Sequence, residues 1–368
     1  MTLSDLSSLY TNVLWAVFAL SLCFGWIAQK THFCTMGAIS DVVNMGDWTR
    51  SRMWVMAVAL AIIGFHGMAE LGLIDASKNF YTSSRVIWLS ALVGGALFGV
   101  GMVLASGCGS KTLVRMGAGS LKAIVVFAVM GIAAFATLRG VTAVLRVNTV
   151  DKVALELPAG SGLPGLVARG LDMTGMVTWV ALAIAVAMLV WVFWSADFRR
   201  ANNVLAGVGI GGSVVAMWWV TGHLAFVPEH PETLDAVYLA TNSGQMESLT
   251  FTAPMAYTLD WLVYFSDKSK VLTTGVVSVA GVVLGSFVYA VATRSFQWEG
   301  FRSTQDTALH IVGAVLMGIG GVTAMGCTVG QGLSGMSTLS ITSMLAVVGI
   351  VAGALAGLRF QLWLVMRD

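Results

Sequence analysis

Hydrophobic residues in this chain are grouped in long runs that short polar connections separate. A helix that crosses a bilayer needs about 20 apolar residues, within a range of roughly 17 to 25. Nine stretches meet this requirement, and we expect each to form a membrane-spanning helix. They are 9–27, 53–73, 86–106, 121–140, 177–195, 204–221, 272–293, 308–325 and 340–364.

Four further segments, at 33–45, 110–117, 251–265 and 328–335, are too short or too polar to span. Irregular backbone at membrane depth is tolerated only where protein or a water-filled cavity covers it. We interpret these segments as re-entrant half-helices that line a path. The alternative interpretation is that they are amphipathic helices on the membrane surface.

Composition agrees with a membrane-embedded chain. Of the 368 residues, 57% are hydrophobic and only 10% are charged, whereas soluble domains carry about 25% charged residues. The predicted fold class is therefore an all-α membrane protein. Two polar stretches, 141–175 and 223–270, are predicted to cap one face, and neither has the periodicity of a separate soluble domain. We expect residues 1–368 to form one integral membrane transport domain in contact with lipid.

The sequence lacks the motifs that are typical of several other functional classes. The net charge of +2 and the absence of a basic run with interleaved aromatic residues give no indication of a nucleic-acid partner. None of the four cysteines lies in a C-x-x-C pair, and the histidines lack metal-ligand spacing. There is no P-loop and no Ser/His/Asp signature. We expect no metal, no cofactor and no ATP-driven pump, and we interpret the first apolar run as a retained span because no basic region precedes it.

The two halves of the chain resemble each other. GVGMVLASGCGSKTLVRMGAGS around Cys108 matches GIGGVTAMGCTVGQGLSGMSTLS around Cys327. A weaker match joins FCTMGAISD to FTAPMAYTLD and sets Thr252 where Cys34 stands in the first half. The predicted repeats cover approximately 9–140 and 204–365, each with four spans, and the span 177–195 links them. Four spans return the chain to its starting side of the membrane, and the linking span carries it to the other side. The second repeat is therefore inverted, as in many transporters, whose substrate site lies near the midplane between the repeats.

Basic residues predict the orientation. One face would carry Lys30, Arg50, Arg52, Lys111, Arg115, Arg199, Arg200, Arg294, Arg302 and Arg367. The other would carry Lys78, Arg85, Arg146, Lys152, Arg169, Lys268, Lys270 and most of the acids. The first face is predicted to be cytoplasmic, which leaves the N-terminus outside and the C-terminus inside.

Cys34, Cys108 and Cys327, here called the break cysteines, stand where a predicted half-helix begins. A helix N-terminus offers free backbone N–H groups and a partial positive charge, so it attracts anions. A thiol beside such groups suits a soft, sulphur-bearing anion. The competing interpretation is that buried cysteines simply fill space, and we assign Cys23, inside the first span, to that role.

Other residues near the breaks complete the candidate site. The flanking glycines Gly107, Gly109, Gly326 and Gly330 allow an anion to approach the backbone. Lys111, with Arg115, either attracts an anion or simply obeys the positive-inside rule. The polar residues Gln29, Thr112, Thr252, Thr328, Gln331 and Ser334 either line the path or satisfy freed backbone groups. His66 and Glu70 share a helix face, and we expect Glu70 near the membrane surface.

Three motifs carry a family resemblance. FGWIAQKTHFCTMGAISD from Phe24, ASGCGSKTLVRMGAGSLKA from Ala105 and GCTVGQGLSGMSTLS from Gly326 resemble the YeeE/YedE family of sulphur-transport membrane proteins. The resemblance implies nine spans, four short helices and uptake of thiosulfate or, in some branches, of selenium or other sulphur compounds. It also implies that the break cysteines pass thiosulfate along a central path through S–H···S contacts, and that a small cytoplasmic sulphur-transferase protein can be a partner.

The leading prediction is therefore an importer of thiosulfate or a similar sulphur anion in a bacterial inner membrane. Two alternatives stay open at this point. The cysteines could form persulfides as part of a membrane sulphur-transferase, or the chain could be a scaffold that holds a cytoplasmic sulphur carrier.

Overall fold

The protein is described here by a computed structural model. The structure describes residues 3–157, 160–170, 174–231, 234–267 and 269–366, so Lys268 and Arg367, used above for the orientation, lie outside the described residues. Within them the chain is almost entirely helical. Two short antiparallel pairs of strands, β1 (Arg85–Val86) with β2 (Leu155–Glu156) and β3 (Phe226–Val227) with β4 (Val237–Tyr238), are small local additions.

Fourteen α-helices follow one another in the described residues. They are α1 (Leu3–Thr31), α2 (Thr35–Met45), α3 (Thr49–Glu70), α4 (Trp88–Leu104), α5 (Gly109–Gly117), α6 (Leu121–Arg139), α7 (Val141–Asn148), α8 (Leu163–Gly170), α9 (Val177–Phe193), α10 (Ala201–Trp219), α11 (Thr252–Val263), α12 (Thr274–Ala292), α13 (Thr304–Thr323) and α14 (Ile341–Val365). Two π-helical turns, Val220–Leu224 and Gly330–Gly335, extend this set. Short 3₁₀ turns occur at Ala76–Lys78, Val150–Lys152, Thr174–Met176 and Asp197–Arg199.

Eight helices of the described chain are long and apolar enough to cross a membrane. The ninth predicted span, α9, has 17 residues, which is the lower end of the spanning range. Large apolar side chains such as Ile132, Val190 and Val348 point outward from the bundle, where they contact lipid. The predicted all-α, multi-pass membrane protein is confirmed.

Successive long helices run in opposite directions between the two faces of the bundle. We call the face where α1 begins the N-terminal face and the face where α14 ends the C-terminal face. The two predicted polar stretches lie on the N-terminal face and hold the short helices α7 and α8, the strand β2 and the strand pair of β3 with β4, while β1 comes from the connection before α4. Arg85 and Asp151 belong to this cap, since an Arg85 N–H donates to the Asp151 carbonyl at 2.8 Å.

All four predicted half-helices are short helical segments: α2, α5, α11 and the π-helical turn Gly330–Gly335. α2 and α11 correspond to the weaker match between the halves, and each carries an aspartate that pairs with a basic residue further along the chain. Arg50 Nε lies 3.3 Å from the Asp41 carboxylate, and Lys270 Nζ lies 2.6 Å from the Asp260 carboxylate.

Helix packing in the first half has a counterpart in the second. α4 packs on α14 as α13 packs on α6, and α12 packs on α1 as α3 packs on α10. α6 packs on α11 as α14 packs on α2, and α5 packs on α12 as the π-helical turn Gly330–Gly335 packs on α3. The helices of α1–α6 thus exchange packing partners with those of α10–α14, and α9 lies between the two sets in the chain.

The corresponding helices α4 and α13 meet each other through glycine. A Cβ atom built on Gly101 would lie 2.6 Å from the Gly313 carbonyl oxygen and 2.8 Å from the Met317 nitrogen. A Cβ atom on Gly313 would lie 2.6 Å from the Gly101 carbonyl oxygen. Small residues allow helices in a bilayer to pack backbone against backbone, and this contact brings the helices that precede Cys108 and Cys327 together.

We expect Gly101→Ala to lower the stability of the protein by about 1–3 kcal/mol, because the added methyl group must displace backbone atoms of α13. The measurement is thermal unfolding of detergent-solubilised protein. Gly212→Ala on α10 is the matched control, because a Cβ atom there meets nothing within 4 Å. Equal midpoints for the two variants would contradict the proposed close contact.

Candidate functional site

The three helix breaks that precede the break cysteines have the same backbone conformation. His32, Ser106 and Met325, each two residues before a break cysteine, adopt left-handed φ angles of 52°, 55° and 59°. The next residue in each break donates its N–H five residues back: Phe33 to Ala28 at 3.2 Å, Gly107 to Met102 at 2.8 Å and Gly326 to Gly321 at 2.7 Å. This is the Schellman ending of a helix. It reverses the chain locally and delivers each cysteine to the start of the next short helix.

Two of the thiols cap the helical segment that follows them. Cys34 Sγ accepts a hydrogen bond from the Gly37 N–H at 3.4 Å, and Cys327 Sγ accepts one from the Gly330 N–H at 3.4 Å. The third, Cys108 Sγ, lies 3.3 Å from the Ser110 hydroxyl oxygen. A cap side chain satisfies one of the free N–H groups at a helix start, so the thiols face the positive ends of these helices.

The break cysteines lie in a row. The Cys108 side chain is a direct neighbour of Cys34, and Cys327 lies within electrostatic range of Cys108. Cys108 and Cys327 are fully buried, whereas Cys34 is partly exposed. The row therefore runs from Cys327 on the side of the N-terminal face, through Cys108, to Cys34 on the side of the C-terminal face.

The Cys327 end of the row is surrounded by backbone donors. The N–H groups of Phe251, Val329 and Gly330 all lie close to its sulphur. They come from two different segments, the start of α11 and the turn after α13. Converging N–H groups of this kind form an anion-binding nest, so this end has the donors that an anion requires without a charged side chain.

Two buried hydroxyl groups near the row have no partner among the described residues. They belong to Thr252 and Thr328, whose side chains are about 1% exposed. Thr328 neighbours the Cys108 side chain, and Thr252 follows Phe251 at the start of α11. A buried hydroxyl group without a partner is energetically costly, so both are available to a ligand.

Other predicted residues support the breaks instead. Gln331 donates from Nε2 to the Ala324 carbonyl at 2.7 Å and accepts from the Ser343 hydroxyl at 2.5 Å. Thr112 donates to the Cys108 carbonyl at 3.1 Å. Ser334 donates to the Leu249 carbonyl at 2.7 Å. These groups are occupied, so their role is to satisfy backbone and polar atoms that the breaks leave free.

The remaining predicted residues frame the row. Gly107 and Gly109 flank Cys108, and both are buried; Gly326 and Gly330 are buried beside Cys327. Gln29 is half-buried in the last turns of α1, and its carbonyl accepts a hydrogen bond from the His32 N–H at 3.4 Å.

Lys111 is a cation close to the thiols. It lies within electrostatic range of Cys34 and Cys108, is half-buried, and has no ion pair among the described residues. By contrast, Arg115 pairs with the Glu299 carboxylate at 3.3 Å. An ammonium group without a counterion in a partly buried position favours binding of an anion.

A cavity of about 400 Å³ opens on the N-terminal face and extends to Met325 and Gly326, directly beside Cys327. Its lining includes Tyr81, Arg85, Arg146 and Glu247. The motifs did not indicate these residues, because they lie in connections without a repeat or a spacing signal. The only signal was their membership of the polar stretches and of the connection before α4.

Residues outside the row behave differently. Cys23 was assigned to packing, but it is exposed on the outer surface of α1, because its position on the helix turns toward lipid.

Glu70 ends α3 and accepts a hydrogen bond from the Thr178 hydroxyl at 2.6 Å. In the described part of the chain, no group of three or more His, Cys, Asp or Glu side chains is arranged to hold a metal ion.

Comparison with known proteins gives a consistent result. The family model described as "Sulphur transport" matches residues 30–356. The thiosulfate transporter TsuA of Escherichia coli (strain K12) is 24% identical over 339 residues, which cover 89% of each chain. The TsuA of Spirochaeta thermophila is 26% identical over 348 residues, covering 93% of this chain and 97% of the relative. The probable transporter YedE of Escherichia coli (strain K12) is 27% identical over only 94 residues, 25% of this chain and 21% of the relative. The chain therefore belongs to the sulphur-transport family of membrane transporters.

Proposed function

We propose that this protein imports thiosulfate, or a closely related small sulphur-containing anion, across a bacterial inner membrane. The observation that carries the proposal is the row of three thiols at three identical helix breaks, with Cys108 between its neighbours. The two thiosulfate transporters that cover most of the chain are consistent with it.

The break cysteines provide binding groups for sulphur without a covalent step. A thiol is a weak hydrogen-bond donor and a weak acceptor. The terminal sulphur of the anion accepts S–H contacts from one thiol and then from the next, while backbone N–H groups and hydroxyl groups contact its oxygens. Weak contacts suit a path, because a substrate must leave each position as readily as it enters.

The inverted repeats, approximately 9–140 and 204–365, define the path in this proposal. Short segments from both halves converge on the thiols, and irregular backbone at membrane depth is covered by protein, as a bilayer requires. Half-helix starts supply the positive ends that attract the anion and repel cations.

The orientation follows from the charges. Arg52, Arg199 and Arg200 lie on the C-terminal face with Lys111, so we assign this face to the cytoplasm. The anion then enters through the cavity beside Cys327 and leaves beyond Cys34, near Lys111. A small cytoplasmic sulphur-transferase protein would receive it there.

We expect alanine at any one break cysteine to reduce thiosulfate uptake at least about tenfold, because each replacement leaves a gap in the row where the anion has no sulphur contact. The measurement is uptake of radiolabelled thiosulfate into proteoliposomes that contain only this protein. Cys23→Ala is the matched control, because this thiol lies on the outer surface of α1, and it should leave uptake unchanged.

Wild-type uptake in the triple variant Cys34/Cys108/Cys327→Ala would refute the thiol path. Mass spectrometry after exposure to thiosulfate separates the remaining alternatives. A persulfide on a break cysteine of a protein that transports nothing would favour the sulphur-transferase. An unmodified, folded protein that transports nothing would favour the scaffold.

Lys111 provides a second prediction. We expect Lys111→Gln to lower uptake by about tenfold, because a charge-assisted contact to the anion is lost, while Lys111→Arg retains much of the activity. Uptake at several thiosulfate concentrations is the measurement. The control is Lys152→Gln, in the cap on the opposite face. Equal effects of Lys111→Gln and Lys152→Gln would contradict a role for this ammonium group in the path.

A third prediction concerns the two hydroxyl groups without partners. Thr328→Val keeps the shape of the side chain and leaves no group of the described structure unpaired, so the protein should remain as stable as the wild type. Uptake should fall several-fold, and Thr328→Ser should restore it. Thr252→Val and Thr252→Ser form the equivalent pair in the second half. Loss of stability with unchanged uptake would indicate a structural role.

A further inference from the structure

Glu247 is an acidic side chain in the entrance that an anion would use. It lies in the connection between the π-helical turn Val220–Leu224 and α11, and it lines the cavity beside Cys327. Its Oε1 accepts hydrogen bonds from the Thr274 hydroxyl at 2.9 Å and from the Asn242 N–H at 3.3 Å. Its Oε2 accepts one from the Ser243 hydroxyl at 3.0 Å. The carboxyl group is therefore fixed in place at the cavity wall.

The backbone holds this residue as firmly as the side chain does. The Thr221 hydroxyl, in the π-helical turn, donates to the Glu247 carbonyl at 2.6 Å. Both neighbours of Glu247, Met246 and Ser248, are buried. The backbone contacts therefore fix the carboxylate at the cavity wall.

Several titratable and charged groups surround Glu247. Tyr81, in the connection before α4, is within electrostatic range of both Glu247 and Cys327, and Tyr257 of α11 also faces Glu247. Arg85 and Arg146 line the same cavity, but both contact Asp151 of the cap: Arg146 Nε lies 3.4 Å from its carboxylate, and Arg85 bonds its carbonyl. Among the described residues, no cation pairs with the Glu247 carboxylate.

An ionised carboxylate at this position opposes the proposed substrate. Two like charges that share a cavity walled by protein repel each other more strongly than they do in water. A neutral carboxyl group removes this repulsion and can donate a hydrogen bond to the anion. Burial raises the pKa of Glu247, against the hydrogen bonds from Thr274, Ser243 and Asn242, which lower it. The neutral form is therefore more accessible than it is for a glutamate in water.

The energetics of a dianion also call for a companion proton. For each elementary charge that an ion moves against a potential of 100 mV, the equilibrium ratio of its concentration inside to its concentration outside falls about fiftyfold. A dianion entering a cell with a negative interior carries this factor twice. A proton that enters with the anion cancels one of the two factors.

We propose that Glu247 is the proton-loading site of the entrance cavity, where one proton from the outer solution and one sulphur anion bind together and enter the path together. This proposal rests on the proposed function. In the first step, the carboxylate takes up one proton and becomes neutral, and the anion then occupies the cavity beside Cys327. In the second step, the carboxyl group transfers its proton to the bound dianion, the singly charged hydrogen anion advances to Cys327, and the carboxylate is regenerated.

The test is thiosulfate uptake by wild-type protein and Glu247→Gln in proteoliposomes, with the same pH inside and outside. Protonation increases as the pH falls through the pKa of the carboxyl group, so wild-type uptake should rise at least about fivefold from pH 8 to pH 6. Free thiosulfate in solution stays a dianion over this range, so its own protonation does not produce the effect. Glu247→Gln, which is permanently neutral, should have a flat profile. Glu229→Gln, at an exposed glutamate of the same connection, should keep the wild-type profile.

A second measurement records the proton directly. A pH-sensitive dye in the vesicle lumen should report acidification when thiosulfate is added to wild-type vesicles, and no acidification with Glu247→Gln. If Glu247→Gln is poorly folded, Thr274→Val provides the same information. This change removes a donor that stabilises the carboxylate, so the midpoint of the pH profile should move to higher pH.

The outcomes separate this inference from the proposed function. Uptake that requires the break cysteines but has the same pH profile in wild type and Glu247→Gln overturns the proton site alone. Uptake without acidification of the lumen does the same. Absence of thiosulfate uptake by well-folded wild-type protein at every pH overturns both.

Discussion

The whole arrangement depends on satisfying backbone hydrogen bonds where helices end within the bundle. In hydrocarbon, a free N–H or carbonyl group costs several kcal/mol, so a spanning helix normally cannot end halfway. Here, each break ends one helix with a Schellman turn and starts the next with a cysteine. The carbonyl groups are satisfied by N–H groups five residues later and, at the third break, by Gln331. The N–H groups that remain free at the new starts are the donors of the site.

The two ends of the row differ in the donors and charges that surround the thiols. At Cys327, three backbone N–H groups from two segments surround the sulphur, and the nearest cations of the cavity are engaged by Asp151. At Cys34, the donors are fewer, and Lys111 provides a full charge. An anion that moves from Cys327 to Cys34 thus exchanges dipoles for a charge. In the proposed orientation, the charged end of the row is the one nearest to the cytoplasm.

Much of the fold was readable from hydropathy, because lipid imposes a length and a composition on every span. Eight of nine predicted spans are long apolar helices, and two of the four short segments directly follow a Gly-Cys pair. The left-handed residues were not readable: His32, Ser106 and Met325 are not the glycines that such a φ favours, so tertiary packing imposes the conformation. The π-helical form of Gly330–Gly335 was equally hidden. The cavity residues were missed because Tyr81 and Arg85 of one connection meet Glu247 of a distant one, and only the folded chain makes them neighbours.

A path made of thiols solves a conflict that charged side chains cannot solve. A row of lysines or arginines would bind a dianion tightly at each position, and tight binding at every step slows movement. A row of apolar residues would leave the anion without partners in a low-dielectric interior, at a much larger cost. Neutral groups that donate weakly, together with helix ends that carry only a partial charge, lie between these limits. Because thiols are soft, they also distinguish sulphur from oxygen. An anion that has a terminal sulphur can contact successive thiols. An anion with only oxygens would have to rely on the N–H groups and hydroxyl groups, which are unevenly distributed along the row. In the proposed path, a sulphur anion is therefore selected by the continuity of its contacts and not by the strength of any one of them.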